Sequence, residues 1–463
     1  MATLAGVRSR LAGLLGGSLL RQAGWLLSSH VAGQAIRLLV NIILARLIAP
    51  QLFGIMLLVN TARIGIELLS DVGIGQNIVR HRDGMTPAFL DTAWTIQVIR
   101  GALLTLVGLV AAWPLSRFYD DSLIYYVFSA CALMFLIDGL YSPGRFVFQK
   151  QQRIRELALF EIVVSLINAV VNVVIIWLFP TIWGLVAALL VTGAILMAAS
   201  FYFLPLSALS FRIDRHYLRE ILHFGKWIFV ASIIYFLSMN FDRLYLGAAV
   251  SFHVLGIYGI ARSLSEALML VAQRVGGFMI FPKIAQAHND GVALRGTLGK
   301  VRWRGMLLIA AGFGPALALS DRIVVILYDD RYLAAAAILP VLMLGAWFAT
   351  LATLADAVLL GIGKPGATAT ANAAKLAWMA VSVPLALTLG AFQWAVLAIA
   401  AAEIVRYLVL GAANYRHGLS FFRQDIAHTA LMLAVALLFR MVLVAAGLAP
   451  GFADLLALAR GLG

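Results

Sequence analysis

Thirteen apolar runs, each about as long as a bilayer crossing, occupy most of this chain. They lie near residues 25–48, 52–73, 89–112, 122–142, 157–179, 181–204, 226–249, 253–275, 304–328, 333–361, 371–390, 392–412 and 427–447. A crossing of ~30 Å of hydrocarbon needs roughly 20 helical residues. Backbone in lipid has to bond to itself, so the runs are expected to be helices. Their length and their lack of period-2 alternation argue against an outer-membrane barrel. With 63% hydrophobic and 12% charged residues in a chain of 463, no room remains for a soluble catalytic domain. The expected fold class is an all-α polytopic membrane protein of 12–14 transmembrane helices. Residues 451–460 are apolar but short for a fourteenth span.

A net charge of +14 could suit nucleic acid, but the positions of the charges point elsewhere. Twenty-two of the 35 Lys and Arg residues lie in the N-terminal segment and in the loops after even-numbered spans, among them Arg80, Arg82, Arg145, Lys150, Arg212 and Arg219. The opposite loops hold four: Arg46, Arg117, Arg322 and Arg331. That alternation is the positive-inside pattern, and it predicts a cytoplasmic N-terminus in a multi-pass membrane protein with no nucleic-acid partner. Residues 1–24, with Arg8 and Arg10, lack a clear signal-peptide cleavage pattern and read as an amphipathic helix on the cytoplasmic surface. Cys131 is the lone cysteine, so neither an intrachain disulfide nor a Cys-based metal site is expected.

Sliding the chain by 202 residues lays spans 1–2 on spans 7–8. Phe53-Gly54-Ile55 meets Leu255-Gly256-Ile257, and Leu44-Ala45 meets Leu246-Gly247. Six spans per half give both halves the same orientation, as in transporters built from parallel repeats. The expected organisation is therefore an N-lobe at 25–205, a basic cytoplasmic linker at 206–225 and a C-lobe at 226–412. One or more further spans follow at 413–463. Prolines 50, 87, 114, 143, 180 and 205 punctuate span ends in the first lobe, whereas Pro315, Pro340 and Pro384 fall inside spans 9, 10 and 11. The second lobe is thus expected to be the more kinked, either statically or during transport.

Helical spacing collects the intramembrane polar residues into stripes. Span 1 carries His30, Gln34, Arg37 and Asn41; span 2 carries Asn60, Arg63 and Glu67, with Ser70 or Asp71. Span 7 carries Ser232, Tyr235, Met239 and Asp242/Arg243; span 8 carries Tyr258, Arg262, Ser265/Glu266 and Gln273. Charge at membrane depth costs at least ~2.5–3.5 kcal/mol per residue and marks function by default. Under the 202 shift Arg37 lies four residues from Arg243, and Arg63 three from Arg262, one helical turn apart on the same face. Four guanidiniums could thus line one aqueous cavity and grip a phosphate- or carboxylate-bearing anion. The alternative is that Arg63/Glu67 and Arg262/Glu266 are i,i+4 pairs that neutralise each other. Glu67, Glu266 and Asp242 are candidates for proton coupling, and His30 is a weaker one, since a lone histidine on a span is more often a packing residue. Glu403 and Arg406, spaced i,i+3, are expected to pair.

Catalytic motifs are missing. Gly361-Ile-Gly-Lys-Pro-Gly has Pro365 where a phosphate loop needs Ser or Thr, and reads as a turn between spans 10 and 11. No metal, cofactor or catalytic residue is expected.

Leu44-Ala-Arg-Leu-Ile-Ala-Pro-Gln-Leu-Phe-Gly54, followed by Asp71-Val-Gly-Ile-Gly75, resembles the opening signature of the polysaccharide transport family. These are the Wzx-type oligosaccharide flippases of the multidrug/oligosaccharidyl-lipid/polysaccharide exporter superfamily. Asp242-Arg243-Leu244, Leu255-Gly256-Ile257-Tyr258 and Phe281-Pro282 are similar to the second-lobe pattern, and the likeness covers about residues 25–412. The resemblance implies two pseudo-symmetric six-helix lobes around a V-shaped central cavity, working by alternating access. It implies a substrate of undecaprenyl-pyrophosphate-linked oligosaccharide, flipped across the bacterial inner membrane for exopolysaccharide, capsule or O-antigen assembly. It also implies a cationic cavity, in keeping with Arg37, Arg63, Arg243 and Arg262. A polysaccharide polymerase and a chain-length regulator are the partners such a system would use. The family's frequent form has fourteen spans, from which the short tail departs. Two other readings compete: a cation-coupled multidrug exporter of the same superfamily, which would want a carboxylate-dominated cavity, and a membrane glycan polymerase or ligase. The second is disfavoured because the external loops are too short to form an acceptor domain.

Overall fold

The computed structural model describes residues 17–68, 70, 73–203, 209–289, 294–390 and 392–447. Side chains are described for these residues except 17–31, 154, 203, 222–231, 271–289, 294–298 and 300–301. The amphipathic segment and the possible fourteenth span at 451–460 therefore lie mostly or wholly outside the described residues, as do Asp71 and the side chains of His30 and Gln273.

Among the described residues the chain is helical throughout. In order the helices are α1 (Gly17–Leu47), α2 (Pro50–Leu68), α3 (Ile74–Arg80), α4 (Pro87–Phe118), α5 (Ser122–Leu140), α6 (Gly144–Lys150), α7 (Ile154–Leu178) and α8 (Ile182–Phe203). Then come α9 (Arg215–Ala249), α10 (Phe252–Asn289), α11 (Leu294–Ala318), α12 (Ser320–Leu327), α13 (Ala335–Gly361), α14 (Gly366–Thr388), α15 (Phe392–Arg416) and α16 (Phe422–Ala445). Each of the thirteen predicted spans falls on a long helix; the ninth falls on the pair α11–α12, which bends by 61°. Among the described residues, eight helices are long and apolar enough to cross a membrane, or nine with the bent pair counted as one span. The chain is a multi-pass, all-α membrane protein. Helices α1, α9, α10 and α14 fall outside that set, and they carry Gln34, Asp242, Arg262 and Lys375 respectively.

Pro315, Pro340 and Pro384 sit inside helices as expected. Pro114 does too, where a helix end was expected. Its ring and Val110, whose carbonyl loses a bond, are both exposed, so the distortion meets no packed neighbour. The glycine-rich turn after span 10 is confirmed. α13 stops at Gly361, Gly363 adopts φ 72°, and the Lys364 amide donates back to Leu359 O at 2.9 Å. A left-handed residue closing a helix, with proline just beyond, is how a chain leaves one span and starts the next.

The chain forms two compact units. One comprises Met1–Ile43, Ser70–Leu115 and Tyr125–Phe229; the other comprises Leu44–Leu69, Ser116–Ile124 and Val230–Gly463. In the first, Ile78, Phe89, Ala93, Val147 and Ile221 form a buried core. α4 meets α5 where a Cβ on Gly101 would come within 2.9 Å of Gly139 Cα. The stretch after α8 is tied down by hydrogen bonds from the Ser210 amide to Asp91 and from the Asp214 amide to Thr92 Oγ1.

In the second unit Phe313, Trp347, Leu351, Tyr407 and Met432 lie in the core, and Trp347 Nε1 donates to Thr429 Oγ1 at 2.9 Å. Arg440 closes the bent span by a forked contact with Asp321 at 2.6 and 3.1 Å. The 202-residue shift becomes visible where α2 crosses α10. A Cβ on Gly54 would sit 2.0 Å from Phe252 O, and one on Gly256 1.9 Å from Pro50 O. Since 50 and 252, like 54 and 256, differ by 202, this crossing is its own image under the repeat. Only glycine permits so close a backbone approach. Near it, Arg331 donates to Arg46 O at 2.9 Å and to Ala45 O at 3.2 Å. Arg46 returns bonds to Ile326 O and Leu327 O at 3.2 Å. Arg331 is also tied to Asp329, and Tyr119 donates to Leu244 O.

Candidate functional site

The charged stripes of α9 and α10 face one another inside the second unit. Glu266 Oε1 accepts from Arg243 Nη2 at 2.7 Å and from Arg262 Nε at 2.9 Å, so one carboxylate serves two guanidiniums. Arg262 Nε also lies 3.8 Å from Asp242 Oδ2, which accepts a hydrogen bond from the buried Tyr258 hydroxyl. Arg243 Nη1 donates to Asn240 at 3.2 Å, while its Nε is buried without a hydrogen-bond partner. The predicted Arg262/Glu266 pair therefore exists, but as part of a four-residue chain that also takes in Arg243 and Asp242.

The cluster continues onto α13, α14 and α15. Lys375 Nζ sits 2.6 Å from Glu403 Oε1 and 3.7 Å from Met239 Sδ on α9. Both members of the ion pair are almost wholly buried, at 2% and 7% side-chain exposure. Arg406 Nη2 lies 3.7 Å from Asp356 Oδ2, and Asp356 accepts from Thr368 Oγ1 at 2.5 Å. The expected Glu403–Arg406 pairing is thus corrected: each takes a partner on a neighbouring helix. Lys375 interacts electrostatically with Asp242, and Glu403 with Arg262, so the two groups form one field.

The other expected residues are placed as follows. Arg63 Nη1 lies 3.5 Å from Glu67 Oε2 on α2, as the i,i+4 spacing predicts. Arg37 is exposed in the first unit, where it donates to Gln34 at 2.8 Å. The His30 side chain lies outside the described residues.

Counted together, Arg243, Arg262, Lys375 and Arg406 face Asp242, Glu266, Glu403 and Asp356. Four cations meet four anions, so the cluster is balanced rather than cationic. Lys375 went unrecognised as a site residue in the sequence. The signal was available: it is the only charged residue of span 11, and the next span carries Glu403. Among the described residues no group of His, Cys, Asp and Glu could hold a metal ion.

Residues 43–337 match the model of a family described as "Polysaccharide biosynthesis protein". The chain belongs to that family. Among curated members of polysaccharide pathways it is similar to the teichuronic acid biosynthesis protein TuaB of Bacillus subtilis (strain 168), at 22% identity over 301 residues. That match covers 64% of this chain and 62% of TuaB, so the chain spans just under two thirds of that relative's length. It is 24% identical over 266 residues to the amylovoran biosynthesis protein AmsL of Erwinia amylovora, covering 57% and 69% of the two chains. Among solved structures it shares the fold of the lipid II flippase MurJ in its inward closed conformation. The TM-score is 0.73 at 10% identity, over 94% of this chain and 96% of the other. The polysaccharide biosynthesis family membership agrees with the resemblance read from the signature at 44–54, and the MurJ likeness agrees with the expected fold class.

Proposed function

We propose that the protein flips lipid-linked oligosaccharide repeat units across the bacterial inner membrane by alternating access, with its N-terminus in the cytoplasm. The substrate class is an undecaprenyl-pyrophosphate-linked glycan, made for exopolysaccharide, capsule or O-antigen. A polymerase and a chain-length regulator would take up the product. Support comes from the family, from relatives named for teichuronic acid and amylovoran biosynthesis, and from the alternation of basic loops. No step of this activity calls for a catalytic residue.

The observation that carries the mechanism is the sharing of Glu266 by Arg243 and Arg262. Guanidinium forks suit pyrophosphate oxygens, but here a carboxylate already occupies them. Substrate binding then means exchange: the pyrophosphate displaces Glu266, and a proton taken up by the displaced carboxylate keeps it from competing. Loss of that proton on the other side of the membrane restores the Glu266 contacts and expels the anion. Arg63 with Glu67, and Arg37, are further substrate contacts in this scheme; Asp242 and His30 are secondary coupling groups.

The test uses proteoliposomes and a fluorescent lipid-linked oligosaccharide with a pH gradient imposed. Arg243→Ala and Arg262→Ala should each cut flipping at least tenfold while the protein still inserts. Glu266→Gln should bind the lipid-linked substrate at least as tightly as the parent yet lose the response to the gradient. Flipping that survives the double arginine replacement, or a Glu266→Gln protein that still follows the gradient, would defeat the scheme.

A further inference from the structure

A second polar site lies away from the charge cluster, at the end of the second unit where the loop between α15 and α16 meets α11. A cavity of about 820 Å³ opens there. Arg302 forms part of its wall and is only 2% exposed. One edge of its guanidinium is used: Nη2 lies 2.5 Å from Asp425 Oδ1, and the group packs 5.1 Å from the Phe421 ring centre. Its Nε and Nη1 are buried without a hydrogen-bond partner. Two further wall residues are half-used. Asn414 donates to Ala355 O and Leu410 O, and Gln424 donates to Gly299 O, yet Asn414 Oδ1 and Gln424 Oε1 have no donor.

Buried polar atoms without partners cost free energy, and several around one cavity indicate a ligand that completes them. The free guanidinium edge asks for an anion, and the first turn of α16, which also borders the cavity, favours one. The two amide oxygens ask for hydroxyl or ammonium donors on the same ligand. The rim is apolar and exposed: Leu408 and Phe422 are each about half exposed, and Tyr415 is 74% exposed. In a membrane helix such a rim faces acyl chains.

We propose that this cavity holds the headgroup of an anionic phospholipid, its phosphate against Arg302 and its headgroup hydroxyls against Asn414 and Gln424. Phosphatidylglycerol has both parts. Arg423, exposed at the mouth, adds a second cation, which offsets Asp425. Basic pockets between spans on the cytoplasmic side bind anionic headgroups by this chemistry. Only the choice of leaflet rests on the orientation given above; the site itself does not depend on what the protein transports.

Binding can be blocked without touching Arg302. Gly411 lines the cavity, and a Cβ there would meet nothing within 4 Å, so Gly411→Leu starts from open space and takes up part of the cavity. The purified full chain in a neutral detergent is titrated with dioleoylphosphatidylglycerol, dioleoylphosphatidylcholine or inorganic phosphate, and thermal unfolding is followed alongside native mass spectra of bound lipid. Phosphatidylglycerol should raise Tm saturably and appear as a bound mass. Phosphatidylcholine and free phosphate should do neither. Gly411→Leu should unfold at the parent's lipid-free Tm or above and lose the lipid-dependent shift. Arg423→Gln, at an exposed position, should weaken binding several-fold with the lipid-free Tm unchanged. A Gly411→Leu protein that keeps the parent's shift would overturn the proposal, and so would inorganic phosphate alone giving the full shift. Since the readout is lipid binding, failure of the flippase reading leaves this result standing, and the converse holds.

Discussion

Replacing Lys375 with Met would strand Glu403 as a buried carboxylate. At 2.6 Å separation and an effective dielectric of about 20, the gross attraction of the pair is about 6 kcal/mol. Most of it offsets the desolvation of two groups that are nearly wholly buried. Removing one partner leaves the desolvation of the other uncompensated, which costs about 3–5 kcal/mol in comparable buried pairs. Arg406 and Arg262 also act on Glu403, so the loss should fall at the low end, about 3 kcal/mol. The double replacement Lys375→Met/Glu403→Leu removes both charges at similar volume and should return to within about 1 kcal/mol of the parent. Thermal unfolding of detergent-purified protein, read by tryptophan fluorescence, gives the ranking directly. A double variant as unstable as the single, or a single variant with no loss, would refute the reasoning. The same pair of variants separates structure from transport. If the charges serve alternating access, the double variant folds yet fails to flip substrate.

Further predictions concern the crossing, the Asp329–Arg331 contact and one turn. Gly54→Ala and Gly256→Ala each push a methyl to about 2 Å from a carbonyl oxygen, so each should destabilise by about 1–3 kcal/mol or more, with non-additive losses in the double variant. Equal stability to the parent in a denaturant titration would contradict the crossing. Asp329 lies outside the spans, and the hydrogen bond from the Arg331 side chain holds its carboxyl below the usual value. Its contribution is therefore present above the unfolded pKa of about 3.9 and lost as pH falls through the lower folded value. Asp329→Asn should cost no more than about 1 kcal/mol at pH 7, since the carboxylate is a third exposed. That difference should stay constant from pH 8 to 5 and vanish only in stronger acid; a difference that grows on acidification would reverse the sign. Gly363→Val should cost about 1 kcal/mol through the φ of 72° alone, because a Cβ there meets no neighbour, and Gly363→Asn should cost less.

How far the sequence could be read depended on which physical rule was acting. Backbone satisfaction in lipid is local to a segment, so the thirteen runs were legible one by one, and each lies on a long helix. The 202-residue shift was legible because repeats preserve spacing, and it pointed at Gly54 and Gly256 before their contact was known. Partner choice is not local. Glu403 and Arg406 sit three residues apart on one helix, yet each finds a better-placed opposite charge across a helix interface, Lys375 on α14 and Asp356 on α13. Glu266 likewise takes Arg243 from another helix in addition to Arg262 from its own turn. Spacing along one helix shows which residues share a face, but not which neighbouring helix that face meets.

Counting would have gone further than spacing. A charge held inside a membrane protein needs an opposite charge within reach, so Arg243, Arg262, Lys375 and Arg406 required four carboxylates nearby. Asp242, Glu266, Glu403 and Asp356 are the four that the structure brings to them. That balance changes the meaning of the arginines. A cluster with spare positive charge would bind an anion at any time and release it with difficulty. A balanced one exposes its guanidiniums only when a carboxylate is neutralised or displaced. Of the four carboxylates Glu266 is the most exposed, at 31% against 12% or less for the others, and so it has the lowest desolvation cost to leave its partners. In the proposed exchange, release therefore begins at Glu266, and replacing it should alter any coupling more than replacing Asp242 or Glu403, whose loss should be felt first in folding.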